Sequence, residues 1–183
     1  MKLFLSMLTI AGAMTACTRE PSGPVEAGHV VASVQESAAT PITYEGSGRF
    51  SVGSHPRAPF RPTFFILRSA AADGSQGLIL MRPGSEMPVT GRHVLGPDTE
   101  FSARYERRSG SVREGYTARE GELEIVSATP DRLEGTFRFT AVRNCTSTGS
   151  ATHCILPTAA DGPTIDVAGS FVAVRVGAGS LAP

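Results

Sequence analysis

The residues best equipped for chemistry begin with the run from Arg104 to Glu120. There Arg104, Arg107, Arg108, Arg113 and Arg119 alternate with Tyr105, Tyr116 and three glutamates. A guanidinium group is a planar fork of N–H donors that matches a carboxylate or a phosphate. The five arginines are therefore a candidate anion-binding surface, provided that a hairpin about Ser109-Gly110 gathers them on one face. The competing reading is that Glu106, Glu114 and Glu120 neutralise them across the strands, which leaves a solvated hairpin that also protects a sheet edge.

Cys145 and Cys154 close a loop of about 10 residues, and two nearby cysteines in an oxidising compartment form a disulfide. Such a link stabilises by at most about 2.7 kcal/mol on the chain-entropy model. It pins a loop and does not found a fold. His153 beside Cys154 does not complete four ligands at zinc spacing, so no metal is expected. His29, His55, His93 and His153 all lie among loop-like residues, and no serine sits in a G-x-S-x-G elbow, so no catalytic set is legible. Glu122 and Glu124 alternate on the wet face of a strand. The chain has no tryptophan, and Tyr44, Tyr105 and Tyr116 are its only tyrosines, so sugar binding lacks its usual platforms. No cofactor is implied.

The third cysteine stands apart. Met1 to Met14 place Lys2 ahead of about a dozen apolar or small residues, the pattern of a secretory signal peptide. The run is shorter than the ~20 residues needed to span a bilayer. Met14-Thr15-Ala16-Cys17 resembles the lipobox of bacterial lipoproteins. That resemblance implies a diacylglyceryl group on Cys17, which becomes the mature N-terminus. Thr18, in place of aspartate after the cysteine, implies sorting to the outer membrane. Ala11-Gly12-Ala13 offers ordinary cleavage as the alternative. Two or three acyl chains on one cysteine would anchor the protein stably, where one holds only marginally.

Removing Lys2 leaves arginine as the only strongly basic residue type. It also leaves sixteen of the 17 Lys+Arg against 17 Asp+Glu, a formal charge of −1. No net field draws such a chain to nucleic acid. The expected partner is therefore a membrane, reached through the lipid anchor, with any protein or small-molecule partner left unspecified.

The elements that must position these residues read as all-β. Residues 1–16 form the leader, and 17–41 a lipidated flexible tether rich in Pro, Gly, Ala, Ser and Glu. Within the tether, His29 to Ser37 is open to a short helix or an extra edge strand. Residues 42–177 form a single β-rich domain, and 178–183 a disordered tail. Nine short runs separated by Gly, Pro, Ser and Asp argue an antiparallel β-sandwich or a barrel-like domain of about 8–9 strands. Two of these runs are Val112 to Ala118 and Glu122 to Ala128, the latter facing Arg132 to Val142 across Pro130-Asp131. If Leu123 and Ile125 share a face with Leu133 and Phe137, the loop between them holds an odd number of residues, and a two-residue hairpin is excluded. "GTFRF … VAGSFVAV" resembles the end of small β-rich domains of bacterial lipoproteins, and the resemblance implies no activity.

The function expected is a noncatalytic, envelope-anchored β-domain with a binding or structural role. The alternatives are a small hydrolase whose groups meet only in the fold, or a lipocalin-like carrier with an apolar cavity. A filled interior argues against both.

Overall fold

The computed structural model describes residues 27–37, 39–54, 63–148, 151–154 and 162–176. The leader, Cys17, the first part of the tether, His55 and the 178–183 tail lie outside them. Ten strands follow one another: β1 His29–Glu36, β2 Ile42–Ser54, β3 Thr63–Ala70, β4 Gln76–Pro83, β5 Gly91–Leu95, β6 Ser102–Ser109, β7 Val112–Ala128, β8 Arg132–Thr148, β9 Ala151–Cys154 and β10 Thr164–Arg175. Eight of them close an antiparallel barrel in the order β1-β2-β3-β4-β6-β7-β8-β10, with β10 returning to β1. β5 continues along the edge of β7 beyond β6, and β9 pairs with the tip of β8.

Alternation explains why the sheet closes with its apolar face inward. Val30, Ala32 and Val34 on β1 point in while their neighbours point out. Leu133, Phe137, Phe139 and Ala141 do the same on β8. The charged residues Arg49, Arg68, Glu124 and Arg138 stand exposed outside. This is the reverse of a membrane-spanning barrel, whose apolar residues face outward. An eight-stranded barrel has an interior that side chains can just fill. Here one continuous core runs from Val30 to Ala173 and includes Tyr44, Phe50, Phe65, Phe101, Tyr105, Tyr116, Phe137 and Phe171.

Three expectations change. The barrel already includes β1 from His29, inside the stretch read as tether to residue 41, and β1 is no edge strand: it lies between β2 and β10. Three small inward residues suffice there, because both flanking strands supply the bulk.

The runs Val112–Ala118 and Glu122–Ala128 are one strand, β7, paired with β8 along its whole length. An extra residue at Arg119 shifts the register, so the inward parity passes from Tyr116 and Ala118 to Leu123 and Ile125.

The β7–β8 connection is also shorter than parity alone allowed. Thr129 N donates to Arg132 O at 2.8 Å, which closes a turn on Pro130 and Asp131. A bulge at Val126, between Ile125 and Ser127, absorbs the odd residue.

Candidate functional site

One end of the barrel, here called the mouth, is built from the C-terminal ends of β1, β3, β6 and β8 and the starts of β2, β4 and β7. Three tyrosines stack beneath it. Tyr44 and Tyr105 meet edge-on at 6.3 Å between ring centroids, and Tyr105 and Tyr116 lie 6.1 Å apart. Their hydroxyls stay satisfied in the core: Tyr44 donates to Ser69 Oγ at 2.6 Å and Tyr105 to Gln76 Oε1 at 2.5 Å. Burial pushes the Tyr105 and Tyr116 hydroxyls up to about 12, against the pull of the nearby Arg107 charge, and it also raises Tyr44.

Above the tyrosines sits a ring of charge. Arg107 on β6 binds Glu114 on β7 at 2.5 Å and Glu36 on β1 at 3.0 Å. Arg143 on β8 reaches the other Glu114 oxygen at 2.6 Å. The Arg107 guanidinium also lies over the Tyr116 ring, 5.4 Å from its centroid. β1 and β6 stand opposite each other in the barrel, so the Glu36–Arg107 pair straps the mouth from side to side.

Burial alone would raise the Glu114 pKa, but the hydrogen bonds and charges of Arg107 and Arg143 outweigh it and hold the carboxyl below its ordinary value. A carboxyl whose folded pKa is depressed stabilises fully above its unfolded value, near pH 4.3, and that stability is lost as pH falls through the folded pKa. Glu114→Gln should therefore cost roughly 1–3 kcal/mol at pH 7 and flatten the acid limb below about pH 4.3. Urea midpoints measured from neutral to strongly acid pH check this, and parallel acid limbs in the two proteins would refute it.

The five arginines read as one surface separate by strand parity. Arg107 turns into the mouth. Arg104 stays on the outer wall and binds Glu106 at 3.0 Å. Arg119 is the exposed bulge residue, away from the others. Arg108 and Arg113 remain together, directly opposed across β6 and β7. They are joined by two residues absent from the sequence reading, Arg49 on β2 and Arg68 on β3, themselves directly opposed. The four line a groove of about 470 Å³ on the outer wall, floored by small residues such as Ala70 and Gly77. Arg49 and Arg68 carry no motif and are separated in sequence by a connection that is not part of the described structure. Only the β2–β3 register could have placed them.

The three described histidines do not come together in a catalytic set. His29 and His153 are exposed on β1 and β9. His93 is not a loop residue: it sits on β5, 6% exposed, against the Phe101 ring at 5.2 Å. Its Nδ1 lies 2.9 Å from Glu100 Oε2 and its Nε2 2.9 Å from the Val89 carbonyl oxygen. Both ring nitrogens thus already face an oxygen partner within the protein. Cys145 and Cys154 face each other across β8 and β9 and are disulfide-bonded, at the exposed tip beyond the mouth. Among the described residues no cluster of three or more His, Cys, Asp or Glu gathers where a metal ion could sit. In a second outer-wall groove, about 280 Å³ beside Arg138, Thr140 and Asp166, the polar side chains are held by one another and by neighbours, with Thr140 donating to Asp166 at 2.7 Å and Arg138 to Glu122 at 3.0 Å.

No family model, curated protein or solved structure matches this chain.

Proposed function

We propose that the protein is an envelope lipoprotein, anchored by acyl chains on Cys17 in the outer membrane, whose barrel is a noncatalytic scaffold that binds on its outside. The observation that carries this reading is the interior: aromatic side chains of the protein itself occupy it, and the Glu36–Arg107 pair straps its mouth. A closed eight-stranded barrel is also the architecture of small-ligand carriers. A carrier needs an apolar cavity, however, and here the rings of Phe50, Phe65 and Phe101 pack on one another at 5.8 and 6.4 Å where cargo would lie. A hydrolase needs a free base beside a nucleophile, and His93 offers none in this geometry. The leader and the lipobox-like Cys17 support export and anchoring.

The anchor is tested by metabolic labelling with a fatty-acid analogue. The wild-type chain should take up label, and Cys17→Ser should take up none. Equal labelling of the two would end the lipoprotein reading.

A further inference from the structure

Sheets normally place opposite charges directly across from one another, and like charges there are destabilising. This barrel follows the rule at Arg107 and Glu114, at Arg138 and Glu122, and at Arg92 and Glu124. It breaks the rule twice among the described residues, at Arg49 opposite Arg68 and at Arg108 opposite Arg113. Both exceptions lie in the same outer-wall groove.

Nothing within the described residues neutralises them. Arg49, Arg68 and Arg113 form no ion pair there, and Arg108 donates one nitrogen to the Gly110 carbonyl at 3.2 Å. The groove has a single carboxylate in its lining, Glu106, which Arg104 already holds. The floor between the two arginine pairs is open: a methyl group added at Gly77 would find its nearest neighbour, the Ser69 carbonyl oxygen, at 3.6 Å.

We propose that this groove is a binding site for a ligand bearing more than one phosphate-type oxyanion. A carboxylate's two coplanar oxygens match one guanidinium fork side by side. A phosphate presents three oxygens in a tetrahedral array and can take forks from two arginines at once, which is what a directly opposed pair supplies. There are two such pairs. Strands β3 and β6 stand two strand spacings apart, ~10 Å, and Arg108 lies ~13 Å along β6 from Arg104, the residue level with Arg68, so the pairs mark opposite corners of the groove and address separate phosphates. The phosphates can belong to a soluble polyphosphorylated molecule or to the headgroups of a lipid surface. The inference rests on the reading of the barrel as a scaffold that binds on its outer wall, and it is independent of the anchor.

The test uses the full chain carrying Cys17→Ser, which takes no acyl group, so binding is read whether or not the native protein is lipidated. Inorganic tripolyphosphate is titrated at low salt into this chain, and into the same chain with Arg68→Gln, with Arg113→Gln, with both, and with Arg138→Gln. Binding should saturate, weaken tenfold or more with either groove substitution, vanish with both, and survive Arg138→Gln. Because each groove substitution relieves a like-charge opposition, the double variant should unfold at no lower urea concentration than its parent, so its loss of binding reports the site and not the fold. A second arm sediments the chain with phosphatidylcholine vesicles, with and without phosphatidic acid. Tripolyphosphate binding without vesicle binding supports a soluble ligand. Vesicle binding that needs phosphatidic acid, is competed by tripolyphosphate and is lost in the double variant supports a lipid headgroup. Absence of saturable binding to either probe, or binding that the double variant retains, overturns the proposal.

Discussion

Phe137→Ala and Phe171→Ala will each unfold roughly 3–5 kcal/mol more easily than the wild-type protein, the usual cost of truncating a buried phenylalanine. The two rings are 3% exposed and pack on each other at 6.4 Å. Each lies directly opposite a glycine on the partner strand, Phe137 across from Gly169 and Phe171 across from Gly135. A Cβ placed on Gly135 would come within 2.8 Å of the Phe171 ring, so the ring fills the space that the missing side chain leaves. Truncating the phenylalanine therefore opens a cavity over bare backbone. A domain's whole stability is usually about 5–15 kcal/mol, so either change removes a large share. Glu124→Gln, on the exposed face of β7, should stay within about 0.5 kcal/mol. Urea unfolding with an unchanged slope is the measurement. Should both phenylalanine variants lie within about 1 kcal/mol of wild type, the typical cost of an arbitrary substitution, the inward faces of β8 and β10 would have to be abandoned.

The second large effect lies at high pH. Tyr105 and Tyr116 hold their protons up to about 12 in the folded protein because burial disfavours the phenolate, while in the unfolded chain they titrate near 10. A raised folded pKa means that the unfolded state binds fewer protons in that window, so stability is intact below pH 10 and falls as pH rises towards 12. At about 1.4 kcal/mol per unit, two shifts of about two units amount to something like 5 kcal/mol for the pair. Tyr44, which burial also raises, shares this window; apart from Lys2 every strongly basic side chain is an arginine, and the cysteines of the domain are disulfide-bonded. Urea midpoints through the alkaline range should fall steeply in the wild type and much less in Tyr105→Phe/Tyr116→Phe, once that variant's own lower starting stability is subtracted. Equally steep limbs would show that some other group drives alkaline unfolding.

What the sequence reveals about this fold is what period-two alternation and turn residues can carry. The all-β class, most strand positions, the inward phenylalanines and the Cys145–Cys154 pair were legible because each rests on neighbours in sequence. The failures share a different cause. The odd-loop argument for the β7–β8 hairpin assumed an unbroken ladder, and a single bulge residue at Val126 reverses its conclusion. Arg119 split one strand into two apparent runs in the same way. β1 read as tether, open to a short helix or an extra edge strand, because it is poor in apolar bulk and its burial depends on β2 and on β10, far away in sequence. Closed barrel and sandwich were indistinguishable for the same reason: what decides between them is the pairing of β1 with β10. The arginine surface shows both sides of this. Arg108 and Arg113 were found because one tight hairpin holds them, whereas Arg107, one residue away from Arg108, turned inward on parity. Arg49 and Arg68 became visible only through the register of β2 on β3.

The closure of β1 on β10, from His29 opposite Val172 to Glu36 opposite Ile165, also bears on how the barrel forms. The ladder that completes the cylinder joins the first and last described strands, so it carries the greatest loop-closure entropy among the described pairings and rewards the chain only when nearly everything else is in place. Such non-local topologies fold over milliseconds to seconds, far more slowly than helical bundles of similar size. Until β10 arrives, β1 and β8 both present unpaired edges with an apolar face exposed, the condition in which partly folded chains associate with one another. A chain ending before Thr164 would hold that state permanently.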